Sequence, residues 1–414
     1  MQGFDWPLGP FFCCPDFDNS VSTIYLDHNS TTPIDPAVAD AMRECHAIGY
    51  LNPASQHRAG QLARQVLEKT RASVLKILGA NVSGMATDQL ILTSGGTESN
   101  NLALVGLALS ARDRLQSMSL ERNQEPWQIL VSAIEHPSII GAAEHLVRLG
   151  FVVRKIPIDQ AGVCRLDEFE KLIEQPTLLV SLMLANNETG VLQPVSAVAA
   201  RCRARKILIH TDAVQAVGKI PVDFTALGVD ALTLTAHKFN GPRGIGGLLI
   251  RHGVSIEPQL FGGFQQMAIR PGTEDVALAV GLLTALELDA KHPDRLDQVR
   301  KLRDDLQTEL TTTISGCVAI GAESPRVPTT LNVAFPGVDR QSFLLAADLQ
   351  GLAISTGSAC ASGSSELSPV LLAMGLPKNL IESSIRISLG VSNTPAEIAA
   401  AGRRIFNLVN HLRQ

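Results

Sequence analysis

The sequence holds no Lys or Arg before Arg43. It therefore lacks both the basic start of a secretory signal and the Arg-rich character of a transit peptide, and a cytoplasmic location is expected. It also lacks a long apolar run. Val276 to Leu286, the longest uncharged apolar stretch of the C-terminal half, falls well short of the ~20 residues that a membrane-spanning helix needs. No CxxC pair occurs, and the seven cysteines, at positions 13, 14, 45, 164, 202, 317 and 360, show no metal-ligand spacing. Reduced thiols and no metal site are the expectation, and each cysteine taken alone reads first as a small buried hydrophobe. Positive charge is not in excess. The net charge of -5 gives no general attraction to nucleic acid or to an anionic membrane. Internal repeats and low-complexity segments are missing as well.

What is present has the profile of a globular protein, with 414 residues, 45% hydrophobic and 18% charged, enough chain for two domains. The first twenty-odd residues combine Phe4, Trp6, Phe11, Phe12 and Phe17 with three prolines and follow no helical or strand period. They read as an arm, and Cys13-Cys14 within it receives no role. From about Ala37 to Gly272, short apolar runs alternate with helical segments, the pattern of a mostly parallel sheet covered by helices. The expected strands are Gln89–Thr93, Gln128–Ser132, Phe151–Ile156, Leu178–Leu184, Ile207–Thr211, Ala231–Leu234 and Gly246–Ile250. In such a sheet ligands bind beyond the carboxyl ends of the strands. After Thr273 the pattern changes to two long helical stretches, Asp275–Lys291 and Arg295–Thr313. Short strands near Thr329–Ala334, Ala353–Thr356 and Ile385–Ser388 follow, and then an amphipathic helix at about Pro395–Arg413.

Polar clusters fall at the expected strand ends. Thr93-Ser94-Gly95-Gly96-Thr97-Glu98 leaves one strand and opens a helix, where glycines admit an anion and the helix terminus favours a phosphate; a plain capped turn is the blander reading. His210-Thr211-Asp212-Ala213-Val214-Gln215 puts a carboxylate just past an apolar strand. It suits a pyridine nitrogen that must stay protonated, or simply an N-cap. Thr235-Ala236-His237-Lys238-Phe239-Asn240-Gly241-Pro242-Arg243-Gly244 places a lysine among small residues. Partial desolvation there would prepare it to form a Schiff base with an aldehyde, whereas a solvated loop lysine is the plainer alternative. His136 and Asn187 again follow strands; an imidazole could stack on an aromatic ring and move protons, although a lone His is more often structural. Ser355-Thr356-Gly357-Ser358-Ala359-Cys360-Ala361-Ser362-Gly363-Ser364 is small and polar. It is expected to form an exposed loop in which Cys360 could meet substrate. Arg386 is the one charge in the run Ile385-Arg386-Ile387-Ser388, and a fixed guanidinium suits a carboxylate held by two hydrogen bonds.

Together with Tyr25-Leu26-Asp27-His28-Asn29-Ser30-Thr31-Thr32-Pro33 and Asn52-Pro53-Ala54-Ser55-Gln56-His57, these clusters resemble the group I cysteine desulfurases. Those are pyridoxal-phosphate enzymes of aminotransferase class V and fold type I. The resemblance runs from about Ile24 to the C-terminus. It implies an α/β fold type I enzyme, with a large domain over 37–285 built on a mainly parallel seven-stranded sheet. A smaller α+β domain, 24–36 plus 286–414, would carry the cysteine loop, and 1–23 would be the arm. It further implies that Lys238 is the Schiff-base lysine, that His136 stacks on the cofactor, and that Asp212 pairs with its pyridine nitrogen. Asn187 and Gln215 would meet the ring hydroxyl side. Gly96, Thr97, Thr235 and His237 would bind the cofactor phosphate, and Thr273 would do so from the neighbouring subunit of a homodimer. Arg386, with Asn187 assisting, would hold the substrate carboxylate, and Cys360 would be the nucleophile that takes sulfur from L-cysteine as a persulfide. An acceptor protein, such as an iron-sulfur scaffold or a sulfurtransferase, would receive it.

Two features depart from the family pattern. Gly262-Gly263-Phe264-Gln265-Gln266-Met267 stands where relatives usually have Gly-Gly-Gly-Gln-Glu-Arg, which points to altered substrate preference or docking. Gln414 directly follows the last helix, without the extended tail by which some relatives bind the scaffold. A selenocysteine lyase, an aminotransferase or β-lyase without persulfide chemistry, and a non-catalytic sulfur-transfer partner are the competing readings.

Overall fold

The computed structural model describes residues 23–118, 127–357 and 366–414. The expected N-terminal arm with Cys13-Cys14 up to residue 22, and the part of the cysteine loop from Ser358 onward with Cys360, lie outside the described residues. Twelve strands form three sheets among the described residues. In chain order the strands are β1 (Ile24–Tyr25), β2 (Gln89–Thr93), β3 (Gln128–Ser132), β4 (Val152–Ile156), β5 (Thr177–Ser181) and β6 (Leu208–Asp212). They continue with β7 (Ala231–Thr235), β8 (Gly246–Ile250), β9 (Val318–Ile320), β10 (Thr330–Ala334), β11 (Leu352–Ala353) and β12 (Ser384–Ser388).

The large sheet has seven strands in the order β2-β8-β7-β6-β5-β3-β4, and β8 alone runs antiparallel to its neighbours. Strands β3, β7 and β8 are buried along their whole length. That is why they appear in the sequence as continuous apolar runs, not as alternation. Because β8 reverses direction between β2 and β7, β2 is parallel to the rest, and the carboxyl ends of β2, β3, β5, β6 and β7 share one edge with the start of β8. Glycine is required at that start. A side chain on Gly246 would lie 2.7 Å from the Gly95 backbone carbon, well inside contact distance.

The second, smaller core joins the two ends of the chain. Leu26 and Ile24 pack with Leu306, Leu331, Phe335, Phe343, Ile385 and Ile405, and the Phe335 and Phe343 rings sit 5.4 Å apart. Strand β1 pairs in parallel with β11, and β10 pairs antiparallel with both β9 and β12. The Ser388 amide donates to the Leu26 carbonyl at 2.7 Å, which ties the last strand to the first. The closing helix, Pro395–Leu412, starts on a capping box in which Thr394 and Glu397 satisfy each other's backbone amides.

Strand ends differ from expectation by a few residues. The expected strand Leu178–Leu184 stops at Ser181. Leu182 and Leu184 still donate to the His210 and Asp212 carbonyls, but the chain then bends into a turn closed by an Ala185–Leu192 bridge. The expected strand Ala353–Thr356 keeps only Leu352–Ala353 in a ladder; Ser355 instead exchanges both backbone hydrogen bonds with Arg386. In the 262–267 segment, Gln266 and Met267 have φ of +49° and +58°, and Phe264 is 92% exposed. The Gln266 amide accepts from Leu92 N–H at 2.7 Å and donates to Leu92 O at 2.8 Å, closing one rung of the outer edge of β2.

Candidate active site

Past the end of β7, residues Ala236–Lys238 make a single 3-10 turn. The following Asn240 sits at φ +62° and returns the chain to β8. A segment near the start of the chain locks this turn in place. Thr32 N–H and Oγ1 both donate to the His237 carbonyl at 2.9 Å, and Asn240 N–H donates to Thr32 Oγ1 at 2.7 Å. The Lys238 amine then meets two backbone carbonyls, Asn29 O at 2.6 Å and Ser30 O at 2.7 Å.

Asp212 ends β6 and is 5% exposed. Its Oδ1 accepts from Val214 N–H at 2.9 Å and its Oδ2 from Asn100 Nδ2 at 2.7 Å. Asn100 also donates to Ser138 Oγ at 2.9 Å, and that hydroxyl lies 2.8 Å from His136 Nδ1. Asp212 and His136 are thus joined through Asn100 and Ser138. His136 caps the helix Pro137–Arg148, and its Nδ1 accepts from Ser138 N–H at 3.2 Å. A nitrogen that accepts carries no proton, so the neutral ring holds its proton on Nε2. Burial lowers the proton affinity of His136, Asp212 pulls it back up, and Lys238 lowers it further. Beside them Glu135 is fully buried; burial, and then the Asp212 charge, push its carboxyl up to about 8. Its Oε1 accepts from Met183 N–H at 2.7 Å. At neutral pH Glu135 is therefore held protonated beside Asp212.

The phosphate-type cluster opens a cavity of about 470 Å³ lined by Ser30, Gly96, Thr97, Thr235, His237 and Arg243, among others. The helix Gly96–Met118 begins here, so free backbone N–H groups and the positive helix end face the cavity. Burial, then the nearby Lys238 and Arg243 cations, lower the His237 imidazole to about 4, and its Nδ1 lies 3.2 Å from Thr31 Oγ1. A helix terminus, hydroxyls, an arginine, a carbonyl-held amine and a buried carboxylate fit an aromatic aldehyde that carries a phosphate. Asn100 Oδ1, buried without a hydrogen-bond partner among the described residues, belongs to the same group of side chains.

Arg386 is 1% exposed. Its Nη2 donates to Asp27 Oδ1 at 2.8 Å and to Ser30 Oγ at 2.9 Å, and its Nη1 donates to the Asn187 and Gly357 carbonyls at 3.1 Å. Its Nε has no partner among the described residues. The Asn187 carbonyl also accepts from Asn29 Nδ2. Asn187 is presented by a turn in which Asn186 Oδ1 accepts from Glu188 and Thr189 N–H. Gln215 Nε2 donates to Asn29 O at 3.0 Å.

The expected residues therefore fall into three places. Lys238, Gln215, Asn187 and Arg386 meet at the Asn29–Ser30 segment. Asp212 and His136 form the adjoining chain. Gly96, Thr97, Thr235 and His237 line the cavity. Thr273 does not join them: it is exposed, and it lines a separate pocket of about 250 Å³ with Cys45, Tyr50 and Asn52. Reasoning from individual clusters missed Asn29, Ser30, Asn100, Ser138 and Glu135. Asn29 and Ser30 entered only through the Tyr25–Pro33 motif that carries the family resemblance, and Asn100, inside a helix, gave no signal.

The family model for class V aminotransferases matches residues 24–400. The chain belongs to the class V aminotransferase family. Within it, the chain belongs with the cysteine desulfurases. It is 38% identical to "Cysteine desulfurase IscS" of Dictyoglomus turgidum over 91% of both chains, and 38% identical to a cysteine desulfurase of Enterobacter agglomerans over 95% of this chain and 94% of that one. A solved structure named "NifS-like protein" superposes with a TM-score of 0.84 at 34% identity, covering 94% of this chain and 100% of the other. The expected α/β fold type I architecture follows from that likeness together with the sheet described above.

Proposed function

We propose that the protein is a pyridoxal 5'-phosphate-dependent cysteine desulfurase that converts L-cysteine to L-alanine and passes the sulfur on from Cys360. The observation that carries this reading is the Lys238 amine, held by the Asn29 and Ser30 carbonyls beside the Asp212–Asn100–Ser138–His136 chain and the anion-suited cavity. When bound, pyridoxal phosphate supplies an aldehyde that links to amines and a ring that withdraws electrons from the substrate α-carbon. Lys238 is the amine assigned to it, and Asp212 is the carboxylate assigned to its ring nitrogen. Gly96, Thr97, Thr235 and His237 are assigned to its phosphate, Gln215 and Asn187 to its hydroxyl side, and His136 to its face.

Arg386 binds the substrate carboxylate. His136 Nε2 and the Lys238 amine, once displaced, move protons at the substrate carbons. The Cys360 thiolate attacks the substrate sulfur. A sulfur–sulfur bond forms, the carbon–sulfur bond breaks with its electron pair left on carbon, and that carbon takes a proton on the way to alanine. Cys360 keeps the sulfur as a persulfide for a thiol acceptor, such as an iron-sulfur scaffold or a sulfurtransferase.

We assign Thr273 to the site of a second copy in a homodimer. Its exposed position, in a pocket apart from the cavity, supports this. The division into 37–285 and 24–36 plus 286–414 is supported by the separate C-terminal core to which Ile24 and Leu26 contribute. Among the described residues no helix is long and apolar enough to cross a membrane, and Cys45, Cys164, Cys202 and Cys317 are free thiols. Free thiols suit a reducing compartment, and we assign the cytoplasm.

The test is direct. Purified protein supplied with pyridoxal phosphate should gain a visible absorbance that borohydride fixes on Lys238, and should release alanine from cysteine. A protein whose absorbance is unchanged by Lys238→Ala is not the enzyme described.

A further inference from the structure

Lys219 lies behind the Lys238 turn and is 4% exposed. Its amine donates to Asn29 Oδ1 at 2.9 Å and to Gln215 Oε1. Among the described residues it has no carboxylate partner, so it is buried without a counter-ion. Burial lowers its proton affinity well below that of a free lysine, and the Lys238 and Arg386 cations add to the effect. A methionine would fill the same space without burying a charge, but it would leave the Asn29 and Gln215 oxygens without this donor. What methionine cannot do is donate.

That donation decides two amide orientations. Lys219 donates hydrogen bonds, so both amides turn their oxygens toward it. Gln215 then has its Nε2 aimed at the Asn29 carbonyl, at 3.0 Å. Asn29 has its Nδ2 aimed at Asn187 O, at 3.1 Å, and at Thr330 Oγ1, at 2.8 Å. The carbonyl that receives Gln215 is the one that receives Lys238. One amine thus sets the side-chain orientation of Asn29, whose backbone carbonyl receives Lys238, and of Gln215, which donates to that same carbonyl.

We propose that Lys219 is a positioning residue: it fixes Asn29 and Gln215 so that the Asn29 carbonyl and the Gln215 amide face Lys238 and the bound cofactor. This rests on the pyridoxal-phosphate reading given above.

The test uses the full chain stripped of cofactor and titrated with pyridoxal phosphate. The dissociation constant comes from visible absorbance, and the geometry at the chromophore from its induced circular dichroism. Lys219→Met should raise the dissociation constant about tenfold, the loss of roughly one hydrogen bond to a charged group. It should also lower the dichroism per bound chromophore by half or more, in a cofactor-free protein that still unfolds in one cooperative step. In a Gln215→Leu background the same substitution should change the dissociation constant less than threefold, because the amide it orients is gone. Binding and dichroism within twofold of wild type, or a threefold or larger effect persisting in the Gln215→Leu background, overturns the proposal. Lys219→Leu gives the same reading should the methionine variant not fold, and failure of both to fold would make Lys219 a structural residue and overturn it equally. A wild-type protein that gains no borohydride-fixed absorbance at Lys238 refutes the function itself. Variants that match an absorbing wild type refute only the role of Lys219.

Discussion

Glu135→Gln should change how stability depends on pH, and the expected change can be worked from the surroundings of its carboxyl. In the folded protein burial, and then the Asp212 charge, hold the Glu135 carboxyl up at about 8, against 4.5 for a free side chain. A raised folded pKa means that the stabilising effect is complete below 4.5 and is lost as pH climbs toward 8. Between those limits the folded state holds a proton that the unfolded state has released, so stability falls by about 1.4 kcal/mol per pH unit. The glutamine variant keeps an acceptor for Met183 N–H and has no proton to lose. Urea unfolding of both cofactor-free proteins at about pH 5.5 and about pH 7.5 should therefore show the variant gaining about 2–3 kcal/mol on wild type. Titrations common to both proteins cancel in the difference, including those of the buried His28 and His210, whose pKa values burial lowers to about 4 and about 3. A wild-type-minus-variant difference that stays flat across this range would mean Glu135 is ionised in the fold, and would refute the reading of its buried carboxyl as protonated.

Arg386→Lys removes the fork that reaches Asp27 and Ser30. The KM for cysteine should rise about 10- to 100-fold, with kcat less affected, for one lost charge-assisted hydrogen bond worth about 1.5–3 kcal/mol; an unchanged KM would remove Arg386 from substrate binding. Asp212→Asn should lower kcat roughly 100-fold or more while borohydride still fixes the cofactor on Lys238, as steady-state alanine release and absorbance will show. Cys360→Ser should keep the visible absorbance and lose alanine formation; alanine release at the wild-type rate would instead favour chemistry without a persulfide. Phe335→Ala, in the C-terminal core, should cost about 3–5 kcal/mol in urea unfolding, and a cost below ~1 kcal/mol would mean that the core has been misread.

The parallel sheet was legible because its strands are buried on both faces and read as continuous apolar runs ending in polar clusters. Those ends located Asp212, His136 and Lys238 within a residue or two. The sequence could not distinguish His136 from His210. Both sit near strand ends, yet His210 is enclosed between Ser181 Oγ and Thr233 Oγ1, a pairing that depends on which strands become neighbours. Lys219 was invisible for the same reason, and the motif that holds Asn29 did not show that its carbonyl receives Lys238. Each acts through a partner far away in the sequence or through a carbonyl that every residue possesses.

Lys238 meets Asn29 across 209 positions, and Arg386 meets Asp27 across 359. The site is therefore closed by the two ends of the chain, and this governs the order of events during synthesis. The turn that carries Lys238 is bracketed by two directly paired strands and can form while the ribosome is still at work. The Arg386 contacts on the Asp27–Ser30 segment cannot exist until the last strand has emerged. An unfinished polypeptide would carry the reactive lysine without the arginine assigned to the substrate carboxylate, so the amine can be in place before the chain is able to hold its substrate.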